Sequence, residues 1–321
     1  MQRQVSPTLN DPVTPQTYRG EDDFWRVRAF LRDVFLLNDR QERSWQVARL
    51  DYWRWHVRAN CQEIDTLDGA VTIWETAGGE IAAVLNPEDP GHVFLQVHPA
   101  ARSRELEAEM LDAAESRLGA PGPDGSPRVV VWAHEDDPLR QSLLAERGYT
   151  QREGAERQHQ RVLDGPLPAP SPAPGYTVRA LGDADELPAR SWVSWRAFHP
   201  DEPDAAYEGW EWYRNVQRLP LYRRDLDIVA AAADGELAGF CTLWYDDATR
   251  TGYFEPVGVA PEHQRRGLGR AMMLEAMRRA QAMGATLVTV AGFSEAANSL
   301  YASVMGGTTL SLRPWVKPLG D

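Results

Sequence analysis

Val257-Gly-Val-Ala-Pro-Glu-His-Gln-Arg-Arg-Gly-Leu-Gly-Arg-Ala271 is the stretch from which the fold can be read. A strand ends at Val259, a polar loop follows, and Gly267-Leu268-Gly269 opens a helix. The apolar residues Met272, Ala276, Met277 and Ala280 then share one helical face. Glycines at such a start let the backbone turn sharply and come close to a ligand. The first-turn N–H groups have no acceptor inside the helix, and the positive end of the helix dipole lies behind them. Arg265, Arg266 and Arg270 add positive charge, so the segment predicts a site for a phosphorylated ligand. The Gly-Lys-Ser/Thr ending of a P-loop is missing, as are the third glycine and acidic ribose ligand of a dinucleotide fingerprint.

Outward from this segment, strands and helices alternate. Tyr176–Ala180 reads as a strand, 185–218 as helical, and Ile228–Ala233 and Leu237–Tyr245 as a hairpin turned by Asp234-Gly235. Gly252–Val259 is a strand, Gly269–Met283 a helix stopped by Gly284, Thr286–Val290 a strand, Ala296–Val304 a short helix, and Thr308–Val316 the closing strands. Gly165–Pro174 has a proline at every second position, the pattern of an extended, semi-rigid spacer. The first half repeats the same element order. Trp25–Leu37 is a helix, Ala70–Glu75 and Ile81–Leu85 form a hairpin around Gly78-Gly79, and His92–Val97 is a strand. Ser103–Leu118 is a helix, Val129–Trp132 a strand and Pro138–Glu146 a helix. Val97-His98-Pro99 in one half matches Val259-Ala260-Pro261 in the other. The expected fold is α/β (α+β) and duplicated. Residues 1–164 form one domain, 165–174 the Pro-rich linker and 175–321 the second domain.

Composition narrows the partners. In 321 residues, 34 Lys+Arg stand against 47 Asp+Glu, a formal net charge of −13, which is a poor match to nucleic acid. Hydrophobic residues at 43% and charged residues at 25% suit a globular protein. The 2 cysteines, Cys61 and Cys241, form no disulfide framework, and no two of the 7 histidines sit at metal-ligand spacing near a third ligand, so no metal is expected. The polar first 20 residues, with three prolines, argue against a signal peptide, and Ile228–Ala233 is too short to span a bilayer. The expectation is a cytoplasmic protein, monomer or homodimer, without nucleic-acid or membrane partners.

Gln264-Arg265-Arg266-Gly267-Leu268-Gly269 resembles the pyrophosphate loop of the GNAT superfamily, the acetyl-CoA-dependent N-acetyltransferases, which reads Gln/Arg-x-x-Gly-x-Gly/Ala. The preceding Val257-Gly258-Val259 and the following helix fit as well, and the likeness runs from Tyr176 to about Met305. It implies two tandem GNAT-like domains, each a mixed, mostly antiparallel sheet flanked by helices. It further implies that Val257, Gly258 and Val259 bond the pantetheine of acetyl-CoA through their backbone, and that Gln264, Arg265, Arg266, Gly267, Leu268, Gly269 and Arg270 hold the pyrophosphate. Leu300-Tyr301 resembles the family's Leu-Tyr, whose tyrosine protonates the departing thiolate, although a tyrosine packing the core would read the same. The family often has an asparagine seven residues before that tyrosine; here Ser294 stands there, and Asn298 is the nearby cofactor candidate. Glu255, on the strand leading into the loop, is the candidate general base, and Pro256 after it suits a bulge.

Trp192, Trp195, Tyr207, Trp210, Trp212 and Tyr213 cluster near Asp201, Glu202 and Asp204. They read either as an aromatic, acidic acceptor pocket or as the core face of an amphipathic helix. Matching the halves at Val97 and Val259 puts Glu105 and Glu107 opposite Gly267 and Gly269 and Arg102 opposite Gln264, while aligning Gly148-Tyr149 with the Gly-Phe that usually follows the last helix in the family puts Leu144 at the tyrosine position. The first domain is therefore expected to be degenerate and the second active. The implied function is transfer of acetyl from acetyl-CoA to a primary amine of a small molecule by direct attack. The alternatives are a non-catalytic acetyl-CoA sensor or interaction protein and a protein-lysine acetyltransferase.

Overall fold

The computed structural model describes residues 11–307 and 309–320, and the chain forms two compact units. Unit 1 takes the chain up to Leu50, Ile64–Glu156 and the segment from Ser311; unit 2 takes Asp51–Glu63 and Arg157–Leu310. From the sequence we expected unbroken domains, 1–164 and 175–321, either side of the proline-rich segment. Local propensity sets a segment's secondary structure, but the sheet or cleft it joins is decided by long-range packing.

Unit 1 begins with β1 (Val13–Thr17), α1 (Glu21–Leu37) and the start of α2 (Val47–Tyr52); the end of α2 and the π-helix it runs into, Trp53–Cys61, belong to unit 2. Then come β2 (Thr72–Thr76), β3 (Ile81–Pro87), β4 (His92–Val97), α3 (Arg104–Arg117), β5 (Ala120–Pro121), β6 (Pro127–His134), α4 (Pro138–Glu146) and β7 (Thr150–Gln151). β1 to β4 form an antiparallel meander, and β4 pairs with β6 in parallel after crossing over through α3. Gly79, at φ 83°, makes the β2–β3 turn. Leu106, Met110, Leu111 and Ala114 of α3 fill the core against Val93, Leu95 and Val131.

Unit 2 repeats the plan. β8 (Glu156–Val162) and β9 (Tyr176–Ala180) lead to α5 (Leu187–Phe198) and α6 (Tyr213–Val216). β10 (Asp227–Ala232), β11 (Leu237–Asp246), β12 (Thr251–Val259), α7 (Leu268–Ala282), β13 (Leu287–Gly292) and α8 (Glu295–Met305) follow. The strand order is β8–β13–β12–β11–β10–β9, antiparallel except for the parallel pair β12/β13. Met272, Met273, Ala276, Met277 and Ala280 of α7 are buried against Ile228, Leu243, Phe254 and Val288. The helix expected over 185–218 is broken. α5 ends at His199, Pro200 and Pro203 follow, and only a 3₁₀ turn at Asp204–Ala206 precedes α6. The closing segment is a single strand, β14 (Thr309–Pro318), paired with β6 and β7 of unit 1. Among the described residues no helix is long and apolar enough to cross a membrane.

Candidate active site

The expected bulge is present. Opposite Cys241 and Leu243 on β11 lie Val257 and Phe254 on β12, so Glu255-Pro256 carries the extra residue. β12 also leaves its parallel partner there, since the pairing with β13 runs only from Thr251 to Phe254. Val257, Gly258 and Val259 remain paired to Cys241, Phe240 and Gly239 on one side and turn an unpaired strand edge to the other. Strand edges of this kind accept an extended, amide-bearing ligand. Gly258 is held by packing, because a Cβ there would lie 2.4 Å from the Phe240 ring.

The loop after β12 is shaped for an anion. Arg265 and Gly267 both take left-handed backbone, at φ 62° and 72°. For arginine this is a sparsely populated conformation, of the kind that turns successive amides toward one side. Gly267 is the N-cap of α7 and supplies no side-chain cap, so the first-turn amides are left without a side-chain acceptor. Leu268 and Gly269 are buried, and a Cβ on Gly269 would lie 2.9 Å from Leu300 Cδ2; this glycine lets α8 pack close. Gln264 ties the loop to its strand by donating to the Val259 carbonyl at 3.2 Å. Arg266 lies over the Tyr176 ring and Arg270 donates to the Ser303 carbonyl, while Arg265, Arg266 and Arg270 are all exposed. The proline-rich segment is anchored here rather than hanging free, with Ala173 N–H donating to the Arg266 carbonyl at 3.2 Å.

Tyr301 sits on α8 with its ring in the core, edge-on to His159. Its hydroxyl makes no hydrogen bond among the described residues. Burial, then the Glu255 carboxylate and Cys241, push its pKa up, so it stays protonated at neutral pH. The indole N–H of Trp244 donates to the Glu255 carbonyl. Asn298 is engaged within the protein. Its N–H groups go to the Gly292 and Ser294 carbonyls, and its oxygen meets His159 Nε2 at 2.9 Å. That amide organises the β13–α8 turn, so it is not a free donor for the cofactor.

Beside Pro256 opens a cavity of about 410 Å³. Trp195, Tyr207, Trp212, Tyr213 and Glu202 of the expected cluster line it, whereas Trp210, Asp201 and Asp204 do not. Trp192 stacks behind on Trp195, at 5.4 Å between ring centroids. Of these aromatics only Tyr213 is fully buried. The other wall was not anticipated: Tyr52, His56, Asn60 and Cys61, on α2 and the π-helix. The density of rings in Tyr52-Trp-Arg-Trp-His56 was the available signal. It went unread because a π-helix lacks the 3.6-residue period.

The matching place in unit 1 is built differently. Measured from their N-caps, Ser103 corresponds to Gly267, Glu105 to Gly269 and Glu107 to Ala271, a register that replaces the one expected from sequence. The strand-to-helix loop is shorter, His98–Ser103 against Ala260–Gly267. Ser103 Oγ accepts the Leu106 N–H and so caps α3. Glu107 is fully buried and accepts from Arg102 Nε at 2.6 Å and Arg140 Nε at 2.9 Å. Burial opposes its ionisation, but Arg140 and Arg102 prevail and hold the carboxyl below its usual pKa. At the next helix, Leu144 and Tyr301 stand equally far past the N-caps Asp137 and Ser294, and Arg140 stands where unit 2 has Ala297.

A splayed parallel strand pair, bare helix amides at its mouth and a buried tyrosine thus come together in unit 2. Residues 185–306 match the profile of the Acetyltransferase (GNAT) family. The chain belongs to the GNAT family and is an N-acetyltransferase of the kind that takes acetyl-CoA as co-substrate. It is 32% identical over 236 residues to the mycothiol acetyltransferase of Thermobispora bispora, covering 71% of this chain and 77% of that one. It is 28% identical to the mycothiol acetyltransferase of Amycolatopsis mediterranei, covering 73% and 80%. In fold it is similar to a GCN5-related N-acetyltransferase from Sphaerobacter thermophilus, with a TM-score of 0.67, 17% identity and 98% of each chain covered. A tandem GNAT protein from the clavulanic acid biosynthesis pathway aligns with a TM-score of 0.63 and 16% identity over 97% of this chain and 99% of that one.

Proposed function

We propose that unit 2 transfers acetyl from acetyl-CoA to a primary amine of a small molecule by direct attack, and that unit 1 is a degenerate copy. The observation that carries this is the contrast at the two helix starts: α7 offers uncapped amides and three exposed arginines, whereas α3 is capped and closed by Glu107. Gln264–Arg270 would hold the pyrophosphate, and the free edge of Val257–Val259 would bond the pantetheine. Opening the sheet at the bulge aligns amine and thioester, so positioning supplies much of the rate. Glu255 accepts the amine proton, directly or through water. The amine nitrogen attacks the thioester carbon, the C–S bond breaks, and the leaving sulfur takes its proton from Tyr301. Relatives named mycothiol acetyltransferase support a small-molecule acceptor. The two free cysteines suit a reducing, cytoplasmic setting.

The test is release of free thiol from acetyl-CoA against a panel of amines. Glu255→Gln should remove the acidic limb of the pH–rate profile, where this carboxylate must lose its proton to act as a base, and lower turnover about 10²-fold or more. An unshifted pH–rate profile at full turnover takes Glu255 out of the mechanism.

A further inference from the structure

We propose that the acceptor is a cationic amine on an aromatic or otherwise apolar body, bearing no carboxylate or phosphate, and that the π-helix Trp53–Cys61 selects it. The inference rests on the acetylation reading above and narrows its substrate.

Tyr52, His56 and Trp212 form an aromatic wall of the cavity, with the buried Trp244 packed behind Tyr52. Ring centroids step from Trp244 to Tyr52 at 6.1 Å, to His56 at 4.7 Å and to Trp212 at 5.3 Å. At the far end the Trp244 indole is bonded to the Glu255 carbonyl, and Pro256 of the bulge lines the cavity. A flat apolar body laid along this wall would bury most of its surface.

Three polar side chains of the lining, Asn60, Tyr207 and Tyr213, are already engaged within the protein. Asn60 donates to His56 Nδ1 at 3.1 Å and to the Trp212 carbonyl at 3.2 Å, and it accepts from Asn215 at 2.7 Å. The Tyr207 hydroxyl donates to Ser191 Oγ at 2.9 Å, and that of Tyr213 donates to Asp227. Along the aromatic side a hydroxyl-rich acceptor would regain fewer hydrogen bonds than the water it loses, which costs affinity at each unmatched group.

Charge points the same way. Glu202 and Glu208 line the cavity and take part in no ion pair among the described residues, and none of the lining residues is lysine or arginine. An ammonium is drawn to such a mouth, and a carboxylate or phosphate is repelled. Burial lowers His56 to about 4, so at neutral pH it adds no positive charge. The π-helix is the second independent sign. Its i→i+5 bonding, as in Gln62 N–H to the Val57 carbonyl at 3.0 Å, is rare and recurs at functional sites.

The test uses the full chain with acetyl-CoA and four amines: tryptamine, 2-phenylethylamine, glucosamine and glutamate. The two aryl amines should exceed glucosamine in kcat/KM by about 100-fold, and glutamate should be inert. His56→Ala and Trp212→Ala should each raise KM for tryptamine about tenfold and leave KM for acetyl-CoA unchanged, which also shows that the variants fold. Paired Glu202→Gln and Glu208→Gln should raise the amine KM severalfold and flatten its salt dependence. Preference for glucosamine, or a tryptamine KM unmoved in both aromatic variants, overturns the inference and leaves the acetylation reading standing. If no amine releases thiol, yet tryptamine quenches intrinsic fluorescence in the parent and not in Trp212→Ala, the acetylation reading fails and the pocket's preference stands. Absence of both turnover and quenching refutes both.

Discussion

α7 and α3 occupy the same place in two copies of one plan, between a meander and a strand parallel to its last member, and they differ at their first turn. In unit 2 the N-cap is Gly267 and the positions behind it are the small Ala271 and Ala297. In unit 1 the corresponding residues are Ser103, Glu107 and Arg140. The first set leaves donors and volume for a ligand. The second fills the volume with an ion-paired carboxylate and satisfies an amide with a hydroxyl. A phosphate site is therefore closed less by repulsion than by an anion of its own, held covalently in place and already paired. Glu105, which we expected to repel a diphosphate, is exposed; Glu107 points inward.

The comparison extends to Tyr301 and its counterpart Leu144, and here the largest effect is expected. Tyr301→Phe should lower turnover about 10²–10⁴-fold while acetyl-CoA affinity is nearly kept, because the substitution removes only the proposed proton donor. Calorimetry alongside steady-state rates checks this, and equal turnover reduces Tyr301 to a core residue like Leu144. Next is the loop itself. Gly267→Glu places a carboxylate at the bare amides and strains a left-handed backbone at φ 72°, without a clash, since the nearest atom to its Cβ would be the Ser171 carbonyl oxygen at 3.9 Å. Affinity for acetyl-CoA should fall about 100-fold or more while the thermal midpoint drops by only a few degrees. Gly269 is the poorer target, since its Cβ would meet Leu300 and disturb packing as well. Unchanged affinity in Gly267→Glu would remove this loop from the cofactor site.

Much of this contrast was legible in the sequence, for local reasons. Gly267-Leu268-Gly269, the Asp234-Gly235 turn and the apolar face of α7 are short-range signals, and β9, β4 and α4 fall on the expected residues. The bulge at Pro256 followed from its missing N–H. What escaped was long-range. Nothing local to Trp53–Cys61 says that it lines unit 2's cavity, or that β14 pairs with β6. The bond from Asn298 to His159 spans the chain and has no local signal. The aromatic cluster left two readings open, since half-buried rings have the same spacing whether they line a pocket or pack a core.

Unit 1 offers the reverse experiment. Glu107→Gln leaves Arg140, itself buried, without its anionic partner and should destabilise the protein by about 3–5 kcal/mol. The sign of the pH dependence follows from the depressed carboxyl pKa. The Glu107 contribution is fully present above the unfolded value near ~4.3 and is lost as pH falls through the lower folded value. The gap between parent and variant in urea unfolding should therefore be widest near neutrality and narrow below about pH 4. A gap independent of pH would mean that Glu107 acts by shape and not by charge.

The smallest effect isolates the cap. Ser103 Oγ accepts a single backbone N–H, so Ser103→Ala should cost about 1 kcal/mol of unfolding free energy. It also uncovers in α3 the kind of amide that α7 leaves bare. If bare amides alone made the acetyl-CoA site, this variant would begin to bind a second molecule. Glu107 and its arginines still occupy the space behind the turn, so titration should give one coenzyme A per chain in parent and variant alike. Two molecules bound to the variant would show that the serine hydroxyl, and not the buried ion cluster, keeps unit 1 closed. Two bound to the parent would make unit 1 a second cofactor site and end the description of it as degenerate.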